Sequence, residues 1–292
     1  MKIFKNIMIL VFCILCFTDM KAHAVKIGLL IETDRLLTGT STTGIITDEM
    51  TGKNFCKLDA MKPYVLTPGK KGIKITVNGE KHDIASERIV VRTATPGFVS
   101  AKNRWYRGTL IVRKVNGKLT VINNIPLEEY LLGVVPSEMP SSWHSEALKA
   151  QAVAARSYAV ANLGKQSRYG FDLKDNTEDQ AYGGASAETA RARTAVEQTA
   201  GIVITQNKEV VPAFYCASAG GKTVNAGKIW SKDLPYLRSV PSFDGGMKKM
   251  GHGLGMSQHG CNNLAKQGYN AYQILMYYYN NIKFGRLLNN SV

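Results

Sequence analysis

The period of the hydrophobic pattern changes once along this chain, near Asn123 and Asn124. Before that point the chain has a β-branched apolar run at 25–31 and two Asn-Gly pairs, at 78–79 and 116–117. Both pairs stand between alternating apolar residues, which predicts two β-hairpins. The first hundred-odd residues are therefore expected to be rich in β-strand.

The second half of the chain is predicted to contain the helices. Pro126 suits the first turn of a helix over 127–132, and Pro136 is expected to end it and to open a loop to Pro140. An Ala-rich segment at 144–163 has no Pro or Gly and predicts a long, buried helix. Further predicted elements are a helix at 187–200, strands at 202–205 and 210–217, and a last helix at 270–279. Because strands and helices segregate more than they alternate, the fold class is expected to be α+β.

The N-terminus has the pattern of a secretory signal peptide. Lys2 and Lys5 precede an apolar run at 7–17, and Ala22-His23-Ala24 supplies an A-x-A cleavage site. The run is too short to span a bilayer. We therefore expect a signal peptide at 1–24, a β-rich region at 25–104 and a second domain at 105–286. The protein is expected to be exported to the periplasm, envelope or medium, with membrane contact only through the uncleaved signal segment.

Charge narrows the class of partner. The 292 residues include 37 Lys and Arg against 22 Asp and Glu, a formal net charge of +15, which favours binding to a polyanion. Outside the cytoplasm nucleic acid is not an expected partner, which leaves anionic lipid and acidic wall polymers. The 45% of hydrophobic residues excludes a disordered or collagen-like chain.

Cofactor motifs fail when their spacing is counted. Gly221-Lys222-Thr223 resembles the end of a phosphate loop, but Cys216 occupies the position of its first glycine. After the signal segment the chain contains three cysteines, Cys56, Cys216 and Cys261, and no C-x-x-C or H-x-x-x-H pair. We therefore predict neither a cofactor nor a metal.

Five ordered motifs carry a resemblance to a known family. They are NIPLEEYLLGVVPSEMP at 124–140, ALKAQAVAARSY at 147–158, DQAYGG at 179–184, ASAGGKT at 217–223 and GHGLGMSQHG at 251–260. With these motifs the chain closely resembles the SpoIID/LytB family of sporulation and cell-wall proteins over about residues 105–285. The β-rich part resembles the family only loosely.

The resemblance implies that the substrate is peptidoglycan and that the activity is that of a lytic transglycosylase on glycan strands without stem peptides. The family's catalytic acid falls on Glu138 in this sequence. Such an enzyme needs one carboxyl group with a raised pKa, which protonates the glycosidic oxygen. The same group then takes the proton of the sugar's C6 hydroxyl, and a 1,6-anhydro ring closes. Glu128 and Glu129 are rival glutamates, but both are expected to cap or salt-bridge a helix.

Polar and glycine-rich loops are predicted at 136–140, 179–184, 218–223 and 251–260, and most of the candidate substrate-binding residues lie in them. The candidates are Arg156, Tyr158, Gln180, Tyr182, Ser218, Gly220, Gly221, His252, Gly253, Gly255, Ser257 and Gln258. The polar side chains suit sugar hydroxyls, the glycines allow close approach of backbone to a ligand, and Tyr158, Tyr182 and Trp143 suit a sugar platform. Core packing is the alternative for Tyr158 and Trp143. For Arg156 the alternative is a salt bridge that ties elements together.

The chain departs from the family pattern at several positions. Some members have a zinc site of one His and two Cys soon after the catalytic Glu, but residues 144–179 contain no cysteine here. Cys216 and Cys261 replace other residues in two loops that are expected to converge, which suggests a disulfide between them. The interval from Tyr236 to Gly251 is shorter than in many relatives, which predicts a more open cleft.

Two classes of function follow from the resemblance. The first is an exported lytic transglycosylase that acts in cell-wall remodelling or in an engulfment step of the sporulation type. The second is a noncatalytic protein that binds peptidoglycan and enhances an N-acetylmuramoyl-L-alanine amidase, the role ascribed to some relatives. The presence of Glu138 and of intact glycine-rich loops favours the enzyme.

Overall fold

A computed structural model describes residues 24–77, 79–230 and 233–287 of the chain. The predicted signal peptide lies outside the described residues, apart from Ala24, which begins the first strand. Among the helices of the described part, none combines the length and the apolar character needed to cross a membrane.

The described residues form eighteen strands. Their bounds are β1 (Ala24–Thr33), β2 (Leu36–Thr40), β3 (Gly44–Asp48), β4 (Asn54–Leu58), β5 (Tyr64–Pro68), β6 (Ile73–Val77), β7 (Glu80–Ile84), β8 (Arg88–Thr93), β9 (Val99–Ala101), β10 (Arg104–Tyr106), β11 (Thr109–Val115), β12 (Lys118–Pro126), β13 (Leu173–Lys174), β14 (Ile202–Gln206), β15 (Glu209–Val210), β16 (Tyr215–Cys216), β17 (Met256–Ser257) and β18 (Lys283–Arg286).

Five α-helices lie in the same residues, almost all in the second half of the chain. They are α1 (Leu127–Glu138), α2 (Ser145–Ala161), α3 (Ala190–Gln198), α4 (Gln258–Lys266) and α5 (Ala271–Tyr278). Short 3-10 turns occur at Ser167–Tyr169, Ala185–Ala187 and Ala226–Lys228. The α+β class expected from the sequence is confirmed, with the strands concentrated at the N-terminal side.

The strands form four sheets. A seven-stranded sheet has the order β13-β1-β12-β11-β8-β3-β4, and a six-stranded sheet has the order β10-β9-β2-β5-β6-β7. Two smaller sheets, β15-β14-β18 and the parallel pair β16-β17, belong to the helical half. Strands β11 and β12 are hydrogen-bonded into the same large sheet as β1 and β8, so this sheet runs across the predicted division at residue 105. That division remains a prediction.

Both predicted hairpins are confirmed. Strands β6 and β7 pair antiparallel from Ile73–Ile84 to Val77–Glu80, and β11 and β12 pair down to Val115 and Lys118 around Asn116-Gly117. Asn116 and Gly117 both have positive φ, at 51° and 77°, as a tight two-residue hairpin turn requires.

Helix α2 is the centre of the helical half. It begins after His144, whose side chain accepts a hydrogen bond from the Glu146 backbone N–H, and nearly all its residues from Ala147 to Val160 are buried. Its alanines leave room for close neighbours, and it packs against α1, α3, α4, α5 and β14. The last helix is also confirmed, because Asn270 and Gln273 form a reciprocal capping box.

Three predicted element boundaries are wrong. Helix α1 does not end at Pro136 but continues through it to Glu138, because a proline in the last turn removes only one late hydrogen bond. The strand predicted at 210–217 is split into β15 and β16, with Pro212 between them. Helix α4 begins inside the segment that was predicted to be a glycine-rich loop, with Ser257 as its N-cap.

Candidate active site

Glu138 is the last residue of α1, and two neutral donors from distant segments hold its carboxylate. The Ala181 backbone N–H donates to its Oε1 at 2.6 Å, and Gln258 Nε2 donates to its Oε2 at 3.4 Å. The Tyr215 hydroxyl lies near enough to the carboxyl group to lower its pKa. The side chain is half-buried. A carboxyl group that a ligand can reach is therefore surrounded by neutral donors.

The parallel pair β16-β17 brings Tyr215 and Gln258 together. Tyr215 lies opposite Met256 in this pair, and Ser257 ends β17 and caps α4, so that Gln258 is the first residue of the helix. Gln180 supports the arrangement from behind: its Nε2 donates to the Tyr215 hydroxyl at 2.9 Å. The donors are thus mounted on hydrogen-bonded elements, which fixes their orientation around the carboxylate.

Burial raises the pKa of Glu138 above its ordinary value of 4.5. Hydrogen bonds from Ala181, Gln258 and Tyr215 lower the pKa but do not cancel the effect of burial. None of the groups that shift this pKa carries a charge. The position of Glu138 at the negative end of the α1 dipole also disfavours its anion. This carboxyl group is consequently suited to hold a proton and to release it.

Glu128, ten residues earlier on the same helix, has a different environment. Its two oxygens accept hydrogen bonds at 2.7 Å from Nε and Nη2 of Arg156. Arg156 is fully buried, and its remaining donors bond to the carbonyls of Ala152, Val196 and Ile202. The prediction that Arg156 binds substrate is therefore corrected: its donors are consumed within the protein, and it ties α1 to α2, α3 and β14.

A second buried carboxylate, that of Asp244, organises the glycine-rich loops. It accepts hydrogen bonds from the backbone N–H groups of Ala219 and Gly221, each at 2.7 Å. Three hydroxyls also donate to it, from Ser218 at 3.0 Å, from Ser257 at 2.5 Å and from Ser242. Burial acts to raise the pKa of Asp244, but these donors outweigh it and lower the pKa to about 2.

Two predicted platform residues are corrected by their burial. The Tyr158 hydroxyl donates to Asp179 Oδ1 at 3.0 Å, and its ring meets Phe214 edge-on. The Tyr182 ring packs between Tyr106 and Tyr130, and its hydroxyl donates to Asn123 Oδ1 at 2.8 Å. Tyr158 is 5% exposed and Tyr182 is 2% exposed, so both rings are packed in the core, although Tyr182 also contributes to the lining of a surface pocket beside Ala181.

Most of the other predicted residues lie in one of the two carboxylate clusters. Gln258 contacts Glu138, and Gln180 contacts it through Tyr215. The members around Asp244 are Ser218, Ser257 and Gly221, with Gly220 bonded through its N–H to the Ser218 hydroxyl at 3.2 Å.

The loop that contains His252, Gly253 and Gly255 makes contacts within the protein that stabilise its own backbone conformation. His252 Nδ1 accepts from the Leu254 N–H at 2.9 Å, and burial lowers the pKa of its imidazole. A Cβ on Gly255, where φ is 65°, would lie 2.0 Å from the Phe214 carbonyl oxygen. The close approach that this glycine permits is therefore between β16 and β17, and the expectation of an approach to a ligand is corrected at Gly255.

The suggested disulfide between Cys216 and Cys261 is also wrong, because all three cysteines of the described chain are free thiols. Cys261 lies in α4 with its Sγ 3.9 Å from the Ala147 carbonyl oxygen of α2. Cys216 packs instead against the loop at Gly251. The described residues hold no group of three or more His, Cys, Asp or Glu side chains suited to a metal ion.

Open pockets lie on the surface near the C-terminal end of α1, which carries Glu138. One, the Ala181 pocket, has a volume of about 460 Å³ and is lined by Ser137, Ala181 and Gly183, with Arg104 and Asp175 at its polar side. Another, of about 470 Å³, is lined by Trp143, His144, Arg191, Asn262 and Lys266, among others. Trp143 is half-buried there and packs on His259 with ring centroids 4.7 Å apart.

Sequence reasoning missed three residues of these clusters. Tyr215 lies in a segment whose alternation did not single it out. Asp244 lies between Tyr236 and Gly251, an interval about which the sequence analysis noted only its short length. The Gly245-Gly246 pair that follows Asp244 does indicate a turn. Gln151 is a buried polar residue of α2 whose Oε1 accepts from Gln258 at 3.4 Å. The sequence signal for Gln151 was a single amide side chain in an otherwise Ala-rich helix.

The segment that contains Glu138 and α2 matches a known family. Residues 115–206 match the model of the family described as SpoIID, stage II sporulation protein. Over these residues the chain is similar to the SpoIID family. The SpoIID match includes α1, α2 and α3, whereas Tyr215, Asp244 and Gln258 lie beyond it in the chain.

Three relatives show similarity to parts of this chain. An uncharacterised protein of Brachyspira hyodysenteriae is 32% identical over 177 residues, which are 60% of this chain and 46% of the relative. The amidase enhancer of Bacillus subtilis is 44% identical over 107 residues, 37% of this chain and 14% of the relative. Stage II sporulation protein D of Bacillus subtilis is 38% identical over 136 residues, 41% of this chain and 40% of the relative. The matched part thus spans less than half the length of each of these relatives.

Proposed function

We propose that this protein is a lytic transglycosylase that cleaves the glycan strands of peptidoglycan, with Glu138 as its acid and base. The observation that carries the proposal is the raised pKa of a single half-buried carboxyl group that adjoins an open pocket. The SpoIID match and the relatives' names, a sporulation protein and an amidase enhancer, favour a role at the cell wall.

The proposed reaction needs one proton and returns it. Protonated Glu138 gives its proton to the glycosidic oxygen while the bond from this oxygen to C1 of the muramic sugar breaks. The Glu138 carboxylate then accepts the proton of the C6 hydroxyl as O6 bonds to C1. The anhydro ring is closed, no water is consumed, and the carboxyl group is again protonated.

The neutral donors around Glu138 support this double role. Hydrogen bonds from Ala181 and Gln258 orient the carboxyl group without a fixed positive charge, which would hold it permanently ionised. Hydrolytic glycosidases use a pair of carboxyl groups, one of which activates water or attacks the sugar. Among the residues that the structure describes, no second carboxyl group shifts the pKa of Glu138, which suits a reaction that uses the sugar's own hydroxyl.

Export follows from the same proposal, because peptidoglycan lies outside the cytoplasm. The signal-peptide pattern at 1–24 supports secretion. Removal of 1–24 takes away three lysines and one aspartate, which lowers the net charge from +15 to +13, and this remaining charge supports adsorption to acidic wall polymers. We also propose that the chain comprises a β-rich region at 25–104 and a catalytic domain at 105–286.

A noncatalytic enhancer of a cell-wall amidase is the second candidate function. The observation that favours it is the 44% identity to a protein named amidase enhancer. Under this alternative the protein binds glycan strands and recruits or stimulates an amidase, and Glu138 is only a binding residue.

Mass spectrometry of digested glycan separates the two functions. Denuded glycan strands and intact sacculi are incubated with the purified protein, with Glu138→Gln, and with Glu129→Gln as a matched control on the same helix. We expect anhydro-muramic ends with the wild type and the control, and a reduction of at least about 100-fold with Glu138→Gln. If the wild type and Glu138→Gln both bind strands but form no anhydro products, the proposed enzyme activity is contradicted and the role as an amidase enhancer is supported.

A further inference from the structure

A second pocket lies beside the Ala181 pocket, and half of its lining residues come from the N-terminal β-rich region. This Trp105 pocket has a volume of about 290 Å³ and is lined by Ser41, Met61, Phe98, Trp105, Ala185 and Ser186. Four of these side chains are apolar, two are hydroxyls and none is charged. The pocket is thus suited to an uncharged ligand that has both an apolar face and polar groups.

The Trp105 pocket adjoins the Ala181 pocket. Ser186 lines both the Trp105 pocket and the Ala181 pocket, and β10 lies between them, with Arg104 facing one and Trp105 the other. This is the alternation expected of neighbouring strand residues. The Ala181 pocket in turn includes Ala181 itself, whose N–H bonds to Glu138 Oε1. A row of lining residues therefore connects Trp105 with the carboxyl group.

Three contacts hold β10 against the segment that carries Ala181 and Ser186. The Trp105 backbone N–H donates to Ser186 Oγ at 2.9 Å. Arg107 makes two hydrogen bonds to Glu188, at 2.5 and 3.0 Å. Gly184 has φ of 66°, and a Cβ there would lie 2.5 Å from the Trp105 carbonyl oxygen. The spacing between the two pockets is consequently fixed by the fold.

The lining groups match the chemistry of a pyranose ring. Such a ring has apolar C–H faces and a rim of hydroxyl and amide groups, and an aromatic ring packs well on the face. Ser41 Oγ accepts from the Phe98 N–H at 2.8 Å, and Ser186 Oγ accepts from Trp105. Among the contacts of the described residues, neither hydroxyl donates a hydrogen bond. Both O–H groups are therefore available to acceptor oxygens of a sugar.

We propose that the Trp105 pocket is a second sugar subsite, which holds an uncharged N-acetylglucosamine unit of a glycan strand while another unit lies at Glu138. The inference rests on the proposed function for the identity of the strand. It gives the β-rich region a part in substrate binding, since Ser41, Met61 and Phe98 all come from that region.

Length-dependent binding tests the subsite. All proteins carry Glu138→Gln so that no strand is cleaved, and the probes are denuded glycan strands and β-1,4-linked N-acetylglucosamine oligomers of two to ten units. Calorimetry measures the dissociation constants. We expect Trp105→Ala to weaken binding of long probes about 10-fold and to leave that of two-unit probes unchanged. Trp105→Phe, which keeps an aromatic face, is expected to retain most of the affinity.

A second variant and a control guard against a folding defect. Met61 is 67% exposed, so Met61→Glu leaves the core intact and places a charge in the pocket. We expect this variant to weaken the binding of long probes as Trp105→Ala does. Tyr269→Ala removes an exposed aromatic ring outside these pockets and should change nothing. Equal affinities of the parent, Trp105→Ala and Met61→Glu for long probes overturn the subsite, as does a parent that binds no probe.

Failure of the subsite is distinguishable from failure of the proposed function. Anhydro products from the wild type together with length-independent binding retain the enzyme and overturn the subsite. Trp105-dependent binding of long probes without anhydro products supports the subsite in a protein that only binds glycan.

Discussion

Glu138 and Asp244 are both carboxylates held by neutral donors, and their pKa values move in opposite directions. Asp244 accepts hydrogen bonds from two backbone N–H groups and three hydroxyls, and its pKa falls to about 2. Glu138 has one short bond from a backbone N–H, and burial raises its pKa. The number and quality of the donors, set against burial, decide which carboxyl group stays charged.

The carboxyl groups of Glu138 and Asp244 have different tasks. Asp244 is a permanent anion that gathers Ser218, Gly221 and Ser257, and through Ser257 it helps to place Gln258 beside Glu138. Glu138 has few enough donors to exchange a proton. One carboxylate positions the loops, and the other is placed by them.

The largest change in stability is expected from Asp244→Asn. The amide leaves several buried donors without an acceptor and places its own N–H₂ among them, so the free energy of unfolding should fall by about 2–4 kcal/mol. Urea denaturation measures it. Asp233→Asn is the control in the same segment, because Asp233 is exposed and pairs with Arg238, and it should have little effect. Equal stability of the two variants would contradict the anchoring role of Asp244.

The pH dependence of cleavage should come from Glu138 alone. Activity requires its protonated form and should fall tenfold per pH unit above its raised pKa. Asp244 does not contribute there: its stabilisation is complete above its ordinary value of 3.8 and is lost only as pH falls through about 2.

Tyr215→Phe sharpens this pH prediction. The Tyr215 hydroxyl lowers the pKa of Glu138, so its removal should shift the alkaline limb of the pH–rate profile to higher pH. The rate at low pH should change little, because the donors Ala181 and Gln258 remain. A lower rate with an unmoved alkaline limb would mean that Tyr215 only packs.

The smallest effect is a gain of stability in Glu138→Gln. The folded state binds the Glu138 proton more tightly than the unfolded state, so stability is lost as pH rises above the ordinary value of 4.5. The neutral amide avoids this loss. We expect its melting temperature to exceed that of the wild type by roughly 1–3 °C at pH 8 and to match it at pH 4. A melting temperature below the wild type at pH 8 would show that the anion is stabilised, as at Asp244.

Local signals predicted much of the fold because they act within a few residues. The Asn116-Gly117 turn, the stop of α2 before Gly164 and the Asn270–Gln273 capping box all stand where the sequence placed them. The prediction that α1 ends at Pro136 was wrong, since the effect of a proline depends on how many helical hydrogen bonds follow it. Helix α4 was hidden because its N-cap follows three glycines.

The candidate site was predictable in part. Glu138 and Gln258 were identified through motifs, and the structure brings them together although 120 residues separate them. Tyr158, Tyr182 and Arg156 were misassigned because residue type does not reveal the direction of a side chain. Their burial depends on the partners Asp179, Asn123 and Glu128.

Three features could be predicted from the sequence alone, because turn chemistry, caps and periodicity are local: the α+β class, the hairpins and the buried Ala-rich helix. Glu138 was identified through the family motif, in a segment that was expected to be a loop and is the end of α1. Only the tertiary structure decided which carboxyl group holds a proton. A pKa depends on burial and on donors such as Ala181 and Gln258, which chain folding brings from 43 and 120 residues away.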